Sequence, residues 1–277
     1  MKKIFIRKAS GKHVPFERSK VEATCVRAGA SKQFAEKVAR KVQAQLYEGI
    51  STKEVYKLVL RQLALADKDH AIQHRYRLKE SIMLMGPAGF PFEVFIKGVL
   101  QYYGHHPESI REKIQGQCVI HEIDIITTLD NGDKCMIECK YHNSPGIFTG
   151  IKESLYTHAR FLDLKEEIQK EMLVSNTKIS SDALQYAQCV GQKILCWRYP
   201  LDNGLEKIIE KEGLYPITIL KLQARELEEF SKNHIMIAKD LLTLDLGKFS
   251  RNTGISLERL KRLQRMTQHV ISAKSSE

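Results

Sequence analysis

The chain of 277 residues carries 44 Lys and Arg against 33 Asp and Glu, a formal net charge of +11, with 43% apolar residues. That length exceeds one compact core, so more than one domain is expected; no apolar run reaches the roughly 20 residues of a membrane span, and MKKIFIRKASGK lacks the apolar core of a signal peptide, which points to a cytoplasmic protein with no membrane partner. The basic balance suits a polyanionic partner without proving one. Six cysteines (Cys25, Cys118, Cys135, Cys139, Cys189 and Cys196) form no C-x-x-C pair and read as reduced thiols. Strand spacing turns Cys135 and Cys139 to one face as small hydrophobes, which argues against zinc despite His121 and His142 nearby.

In chain order, residues 2–16 alternate and turn at Ser10-Gly11 as a β-hairpin. Ser19 is placed to cap a helix through about Ala28, and Ser31 one running to about Gly49. Ser51 with Glu54 forms a capping-box pattern for a third, and a fourth spans about 70–85, stopped by Gly86-Pro87. GPAGFPFE reads as a linker that closes a first domain near residue 90. From Pro91 the pattern becomes helix, strands, then alternating helix and strand, the mark of an α/β layer structure. Val119–Thr128 and Lys134–Tyr141 are strand-like runs joined by LDNGD. A helical pattern covers about 150–172, Met172–Ser175 a strand, Ser181–Val190 a helix closed by Gly191, Lys193–Trp197 a strand and Leu205–Glu212 a helix. The tail from about 221 is all helical, with a turn at RNTGIS.

Hydrolysis of a phosphodiester needs a divalent metal held by hard carboxylate oxygens, an activated water, and a cation to meet charge on the phosphorus centre. Glu138 and Lys140, two apart on one strand, share a face. Turn geometry decides whether Asp124 joins them. A two-residue Asn131-Gly132 turn sets Asp124 opposite Cys139 and separates the carboxylates. A three-residue Asp130-Asn131-Gly132 loop with left-handed Gly132 pairs Leu129 with Asp133 and Asp124 with Glu138, and this is the expected register. Opposed carboxylates repel, so a cation between them or a shared proton is needed. Solvent-facing strand residues are the plain alternative for the same D…E-x-K pattern.

A strand ending in Asp, a hairpin, then E-x-K resembles the PD-(D/E)xK restriction endonuclease-like fold, in a context close to its Mrr-type branch, over roughly residues 91–220. The resemblance implies that Asp124 and Glu138 ligate Mg or Mn, with the Cys139 carbonyl completing the shell, and that Lys140 orients water or stabilises charge. Glu93, in the helix before the strands, would be the further acid of the catalytic set; a helix-start carboxylate favoured by the dipole reads equally well. CKYHNSPG, with Tyr141 and His142, would face DNA, and His121 or His142 could assist proton transfer or be structural. Lys152, Tyr156 and Arg160 recur every four residues, a spacing that fits either a phosphate backbone or a solvated helix face.

The first 90 residues are similar to the ATP-cone, the nucleotide-sensing domain of ribonucleotide reductases and a related bacterial repressor. IRKASGKHVPFERSKVEATCVRAG, LYEGISTKEVYKLVL and HRYRLKESIMLMGP carry that similarity. It implies phosphate contacts from Lys8 and Lys20, a lid from Val14 and Phe16, pocket positions for Thr52 and Tyr56, and further contacts from Arg75 and Lys79. Lys-Ala-Ser-Gly stands where many members have Lys-Arg-Asp-Gly, which leaves ATP or dATP as effector.

The expected fold class is α/β: a mostly helical ATP-cone with its β-hairpin (1–90), a restriction endonuclease-like sheet domain (91–220) and a small helical C-terminal segment (221–277) that binds DNA or caps the fold. The expected function is a Mg-dependent DNA endonuclease, a homo-oligomer (dimer or tetramer), regulated by adenine nucleotide and acting on foreign or damaged DNA. The rival is a non-catalytic nucleotide-responsive DNA-binding regulator, which has no need of Lys140 beside the two acids. No Walker-type phosphate loop supports a nucleotide-driven remodelling enzyme.

Overall fold

The computed structural model describes residues 4–8, 10–66, 71–86, 88–144 and 146–272. They divide into two compact units, one of residues 1–80 with 241–277 and one of residues 81–240.

In the first unit, β1 (Phe5–Arg7) and β2 (His13–Pro15) pair antiparallel with Ile6 opposite Val14. Gly11 takes φ 80° in the turn between them. Four helices follow: α1 (Arg18–Arg27), α2 (Lys32–Gln43), α3 (Thr52–Ala66) and α4 (Ala71–Tyr76). Ser19 does not cap α1, because the helix already begins at Arg18 behind Glu17. Ser31 caps α2 by accepting from the Phe34 N–H at 3.2 Å, but the helix ends at Gln43 and the chain turns to Gly49 at φ 80°. Ser51 and Glu54 cap α3 reciprocally, each side chain taking the other's backbone N–H at 3.1 Å. The expected helix over 70–85 is broken at Arg77, after which α5 covers Leu78–Met83. Ala35, Val38, Ala39 and Val42, spaced by three and four, bury one face of α2 against Val21, Cys25, Val55, Val59 and Leu63.

The second unit is built on α6 (Phe90–Leu100) and a five-stranded mixed sheet of order β3-β4-β5-β7-β9: β3 His105–Gln115, β4 Ile120–Leu129, β5 Lys134–Lys140, β7 Lys170–Ser175 and β9 Lys193–Leu195. The first three strands are antiparallel; β5, β7 and β9 run parallel. A short parallel pair, β6 (Phe148–Thr149) with β8 (Lys178–Ile179), stands apart. Besides α6, this unit carries α7 (Ile151–Leu164), α8 (Ser181–Val190), α9 (Leu205–Glu212) and α10 (Ala224–Lys232). Helix α7 stops short of the expected 172, because the chain enters β7 at Lys170. α11 (Leu246–Thr253) and α12 (Leu257–Ser272) return to the first unit, where α12 packs on α4 and buries Leu260, Leu263 and Val270.

The junctions between units thus fall at Glu80–Ser81 and Asp240–Leu241 rather than near 90 and 220. GPAGFPFE is no free linker: Gly89, at φ 73°, precedes α6, and Pro91 sits in its first turn, where the missing N–H costs nothing. Residues 221–240 stay with the sheet unit because the chain folds back on 215–217. There Ile217 donates to the Met236 carbonyl and Ala238 to that of Tyr215, both at 2.8 Å.

Helix α7 is tied to the tip of the β3–β4 hairpin through Asp163. Its carboxylate accepts from the backbone N–H of Cys118 (2.8 Å) and Val119 (3.3 Å) and lies 2.8 Å from His121 Nε2. A Cβ on Gly116 would come within 2.3 Å of that carboxylate, so any larger residue there would push Asp163 off its partners. His121 is therefore a structural partner. The His121 hydrogen bond and the backbone donors, outweighing burial, depress the Asp163 carboxyl from 3.8 to about 2. Its folded-state value lies below its unfolded one, so its stabilisation is complete above about pH 5 and fades as pH falls through 4 towards 2. In thermal melts between about pH 5 and 2, Asp163→Asn should lose a substantial part of the acid-limb fall in Tm seen in wild type; an identical acid limb would refute this role.

Candidate active site

The β4–β5 turn has Leu129 donating to the Asp133 carbonyl (2.9 Å), Gly132 donating to that of Leu129 (2.8 Å), and Gly132 at φ 87°. The ladder above it pairs Thr128 with Lys134, Thr127 with Cys135, Ile126 with Met136 and Ile125 with Ile137. This is the register expected from a three-residue loop, and the next position along it faces Asp124 towards Glu138. There the backbone pairing gives way to a side chain: the Cys139 N–H is taken by the Asp124 carboxylate at 2.7 Å.

Glu138 is buried, with Lys140 Nζ at 2.6 Å on one oxygen and Arg160 Nη1 at 2.5 Å on the other. Arg160, from α7, is buried too and also donates to the Glu122 carbonyl. The Tyr156 ring lies 5.4 Å from the Lys140 ammonium and 5.3 Å from the Arg160 guanidinium. Glu93, buried on α6, is held by a two-point bond from Arg111, Nε at 2.7 Å and Nη2 at 2.9 Å. Arg111 lies on β3 between the Ile110–Ile125 and Glu112–Ile123 pairs, hence across from Asp124, and its backbone is left-handed at φ 54°. Three carboxylates (Glu93, Asp124, Glu138) and three cations (Arg111, Lys140, Arg160) therefore form one cluster.

Burial, then the charge of Glu138, pushes the Asp124 carboxyl from 3.8 up to about 7, against the Cys139 N–H bond, which lowers it. For Lys140, burial acts to lower the pKa, but the attraction of Glu138 and Asp124 wins and raises it, so the ammonium stays charged. The Cys139 thiol is raised well above its ordinary value, chiefly by burial, and stays neutral.

Other sequence candidates sit elsewhere. The Tyr141 hydroxyl donates to the Met83 carbonyl at 2.7 Å and its ring packs on Phe92, so it braces the sheet unit. The His142 backbone exchanges hydrogen bonds with the Asn176 side chain, and its ring lies 3.2 Å from the Thr149 hydroxyl. Lys152 is exposed at the start of α7, while Tyr156 and Arg160 lead inward to Glu138. Sequence pattern gives no signal for Arg111. HHPESIREKIQ is polar, interrupted by Pro107, and shows little of the alternation that marks a strand.

In the first unit, Lys8 and Lys20 are exposed, Val14 is half-buried, and half-buried Phe16 packs on the core. Lys20 pairs with Glu17 at 2.7 Å. Thr52 opens α3, and Lys79 is half-buried. Tyr56 donates to Glu80 at 3.0 Å and stacks on Tyr76. Arg75 is distinctive: it is 4% exposed, and among the described residues Nε, Nη1 and Nη2 all lack hydrogen-bond partners. Its guanidinium lies against Gly29, φ 92°, where a Cβ would clash at 2.6 Å.

Residues 4–80 match the ATP cone domain, and residues 215–271 match the family described as AF1548-like, C-terminal. An uncharacterized protein of Archaeoglobus fulgidus is 41% identical over 149 residues, which is 53% of this chain and 84% of that protein. The chain belongs to the AF1548-like family. The crystal structure of AF1548, described as a protein of unknown function, matches this AF1548-like chain at 35% identity with a TM-score of 0.60, covering 66% of this chain and 98% of that one. A repair endonuclease from Pyrococcus abyssi overlaps 39% of this chain and 44% of its own at 16% identity and a TM-score of 0.31, too slight a likeness to bear on function. No helix among the described residues is long and apolar enough to cross a membrane.

Among the described residues no three His, Cys, Asp or Glu side chains are arranged as a ready metal cage. The donor chemistry nevertheless suits a hard dication: Asp124 is a buried carboxylate beside a second one, at a raised pKa that a nearby cation would reverse. Glu138 has both oxygens engaged by basic side chains, so the fit requires Lys140 or Arg160 to yield. The buried Arg160–Glu138 pair should matter to stability. Arg160→Leu, which strands part of the Glu138 charge, should lower unfolding free energy by about 2–4 kcal/mol, and Arg160→Leu with Glu138→Leu should recover much of it. Additive losses in urea titrations would contradict the coupling.

Proposed function

We propose that this AF1548-like protein is a metal-dependent endodeoxyribonuclease of the PD-(D/E)xK type whose activity or assembly responds to ATP or dATP. The observation that carries the reading is the hairpin register, which gathers Asp124, Glu138 and Lys140 at one place. Chance solvent-facing residues do not account for a buried Glu138 and a raised Asp124 pKa.

Asp124 and Glu138 would hold Mg or Mn, with the Cys139 carbonyl as a further oxygen. The ion, when bound, supplies Lewis acidity and a more acidic water. Lys140 keeps its proton, so it serves as a cation that orients the attacking water and meets charge gathering on the phosphate oxygens, not as a base. Arg160 positions Glu138 from behind and Tyr156 covers both cations. Lys152, at the exposed end of α7, extends the basic surface towards DNA.

In the ATP-cone, Arg75 is a buried guanidinium with no acceptor among the described residues, a costly state that a nucleotide phosphate would relieve. Lys8, Lys20 and Lys79 would add phosphate contacts, and Val14, Phe16, Thr52 and Tyr56 would enclose the rest of the nucleotide. Nucleotide can regulate cleavage only by binding two conformations or assemblies unequally. A homo-oligomer, one site per strand of duplex, is the simplest arrangement that couples the two.

Plasmid DNA incubated with Mg or Mn should be cleaved by wild type and at least about 100-fold more slowly by Lys140→Ala, with a rate that changes on adding ATP or dATP. Equal cleavage by both proteins would sink the nuclease assignment. Arg75→Gln should weaken ATP or dATP binding by about tenfold or more in calorimetry; wild-type affinity would remove Arg75 from the site.

A further inference from the structure

Arg111 combines features that neutralising Glu93 does not require. A non-glycine residue in the left-handed region within a strand pays about 1–2 kcal/mol, and such strain persists where it re-aims a side chain. Here φ is 54° at the interrupted position of the β3–β4 ladder, opposite Asp124. The guanidinium is fixed on one edge by Glu93 through Nε and Nη2, and on one face by the Phe90 ring, 4.9 Å from its centroid. Nη1 has no hydrogen-bond partner among the described residues, and the side chain remains 41% exposed. A planar fork, anchored on one edge and open on the other, suits a tetrahedral oxyanion.

We propose that Arg111 is a phosphate-binding residue, holding non-bridging oxygens of the nucleic-acid backbone at the carboxylate cluster, with Glu93 as its anchor. The substrate class rests on the nuclease reading; the residue and its chemistry do not follow from the Asp124, Glu138 and Lys140 set. Lys140 and Arg160 are both turned to Glu138, whereas Arg111 is a half-exposed cation with a donor to spare. Glu93 thereby acquires a role that its position in α6 alone does not reveal: it is a positioning residue that holds the fork flat against Phe90.

The test is binding without cleavage. Fluorescence anisotropy of a labelled duplex in EDTA, across about 50–200 mM salt, gives the slope of log affinity against log salt, and every duplex phosphate that the protein no longer neutralises lowers that slope by about 0.9. Arg111→Gly relieves the backbone strain and should reduce the slope by about that amount and the affinity by about tenfold. Arg111→Lys should keep most of the slope, and Glu93→Gln should leave it intact while loosening affinity. If Arg111→Gly fails to fold because Glu93 is left unpaired, Glu93→Gln with Arg111→Gly removes both charges and should show the same fall in slope. A wild-type slope in either glycine variant overturns the proposal while leaving the nuclease reading to the Lys140→Ala cleavage assay. Absence of DNA binding by wild type, in EDTA and again with Ca in its place, overturns the proposal, and the nuclease reading still stands or falls by the cleavage assay.

Discussion

Two acidic side chains facing each other across a hairpin are the constraint on which the sheet unit depends. At about 4 Å and an effective dielectric near 20, like unit charges repel by about 4 kcal/mol. The fold accepts that opposition of Asp124 and Glu138 because basic residues from three elements converge on it: Lys140 from β5, Arg160 from α7 and Arg111 from β3. Gly132 makes the opposition unavoidable. Its left-handed φ closes a three-residue loop, and a loop one residue shorter would turn Asp124 to the other face.

The cations are not equivalent. Arg160 is buried and bound to a carbonyl as well as to Glu138, so it belongs to the framework. One turn on, Asp163 grips the tip of the β3–β4 hairpin, so α7 holds that hairpin at two heights and fixes the direction in which β4 presents Asp124. Lys140 is held on Glu138 but reaches partly to solvent, and Arg111 is the more exposed, with Nη1 open to an incoming anion. The proposed chemistry requires this cluster to exchange internal cations for a dication and a phosphate.

How much of this was legible depended on whether local chemistry or tertiary contact decided each feature. Turn and cap residues were readable: Gly132, Gly191 and the Ser51–Glu54 pair each have a local physical reason and stand where expected. The convergence of Asp124 with Glu138 followed from loop length and strand parity alone. Strand β3 lies at the sheet edge with a polar, proline-containing sequence that carries no strand pattern, so neither it nor Arg111 is legible locally. The partnership of Arg160 with Glu138 spans 22 residues and rests on how α7 crosses the sheet, which periodicity along α7 does not encode. The tail read as one helical segment because nothing local marks Leu241 as the point where the chain changes units.

The region that matches the ATP cone adds a second electrostatic demand, the buried Arg75 guanidinium, which has no hydrogen-bond partner among the described residues; the proposed nucleotide would meet it as the proposed dication would meet the carboxylate cluster. The carboxylate cluster is the one on which the proposed chemistry stands. Crystals grown with Mn and measured for its anomalous scattering would test it most directly. A peak bound by Asp124 and Glu138, with Lys140 or Arg160 withdrawn from Glu138, is the expected result; Glu138 still held by both basic side chains, with no peak at the cluster, would contradict it.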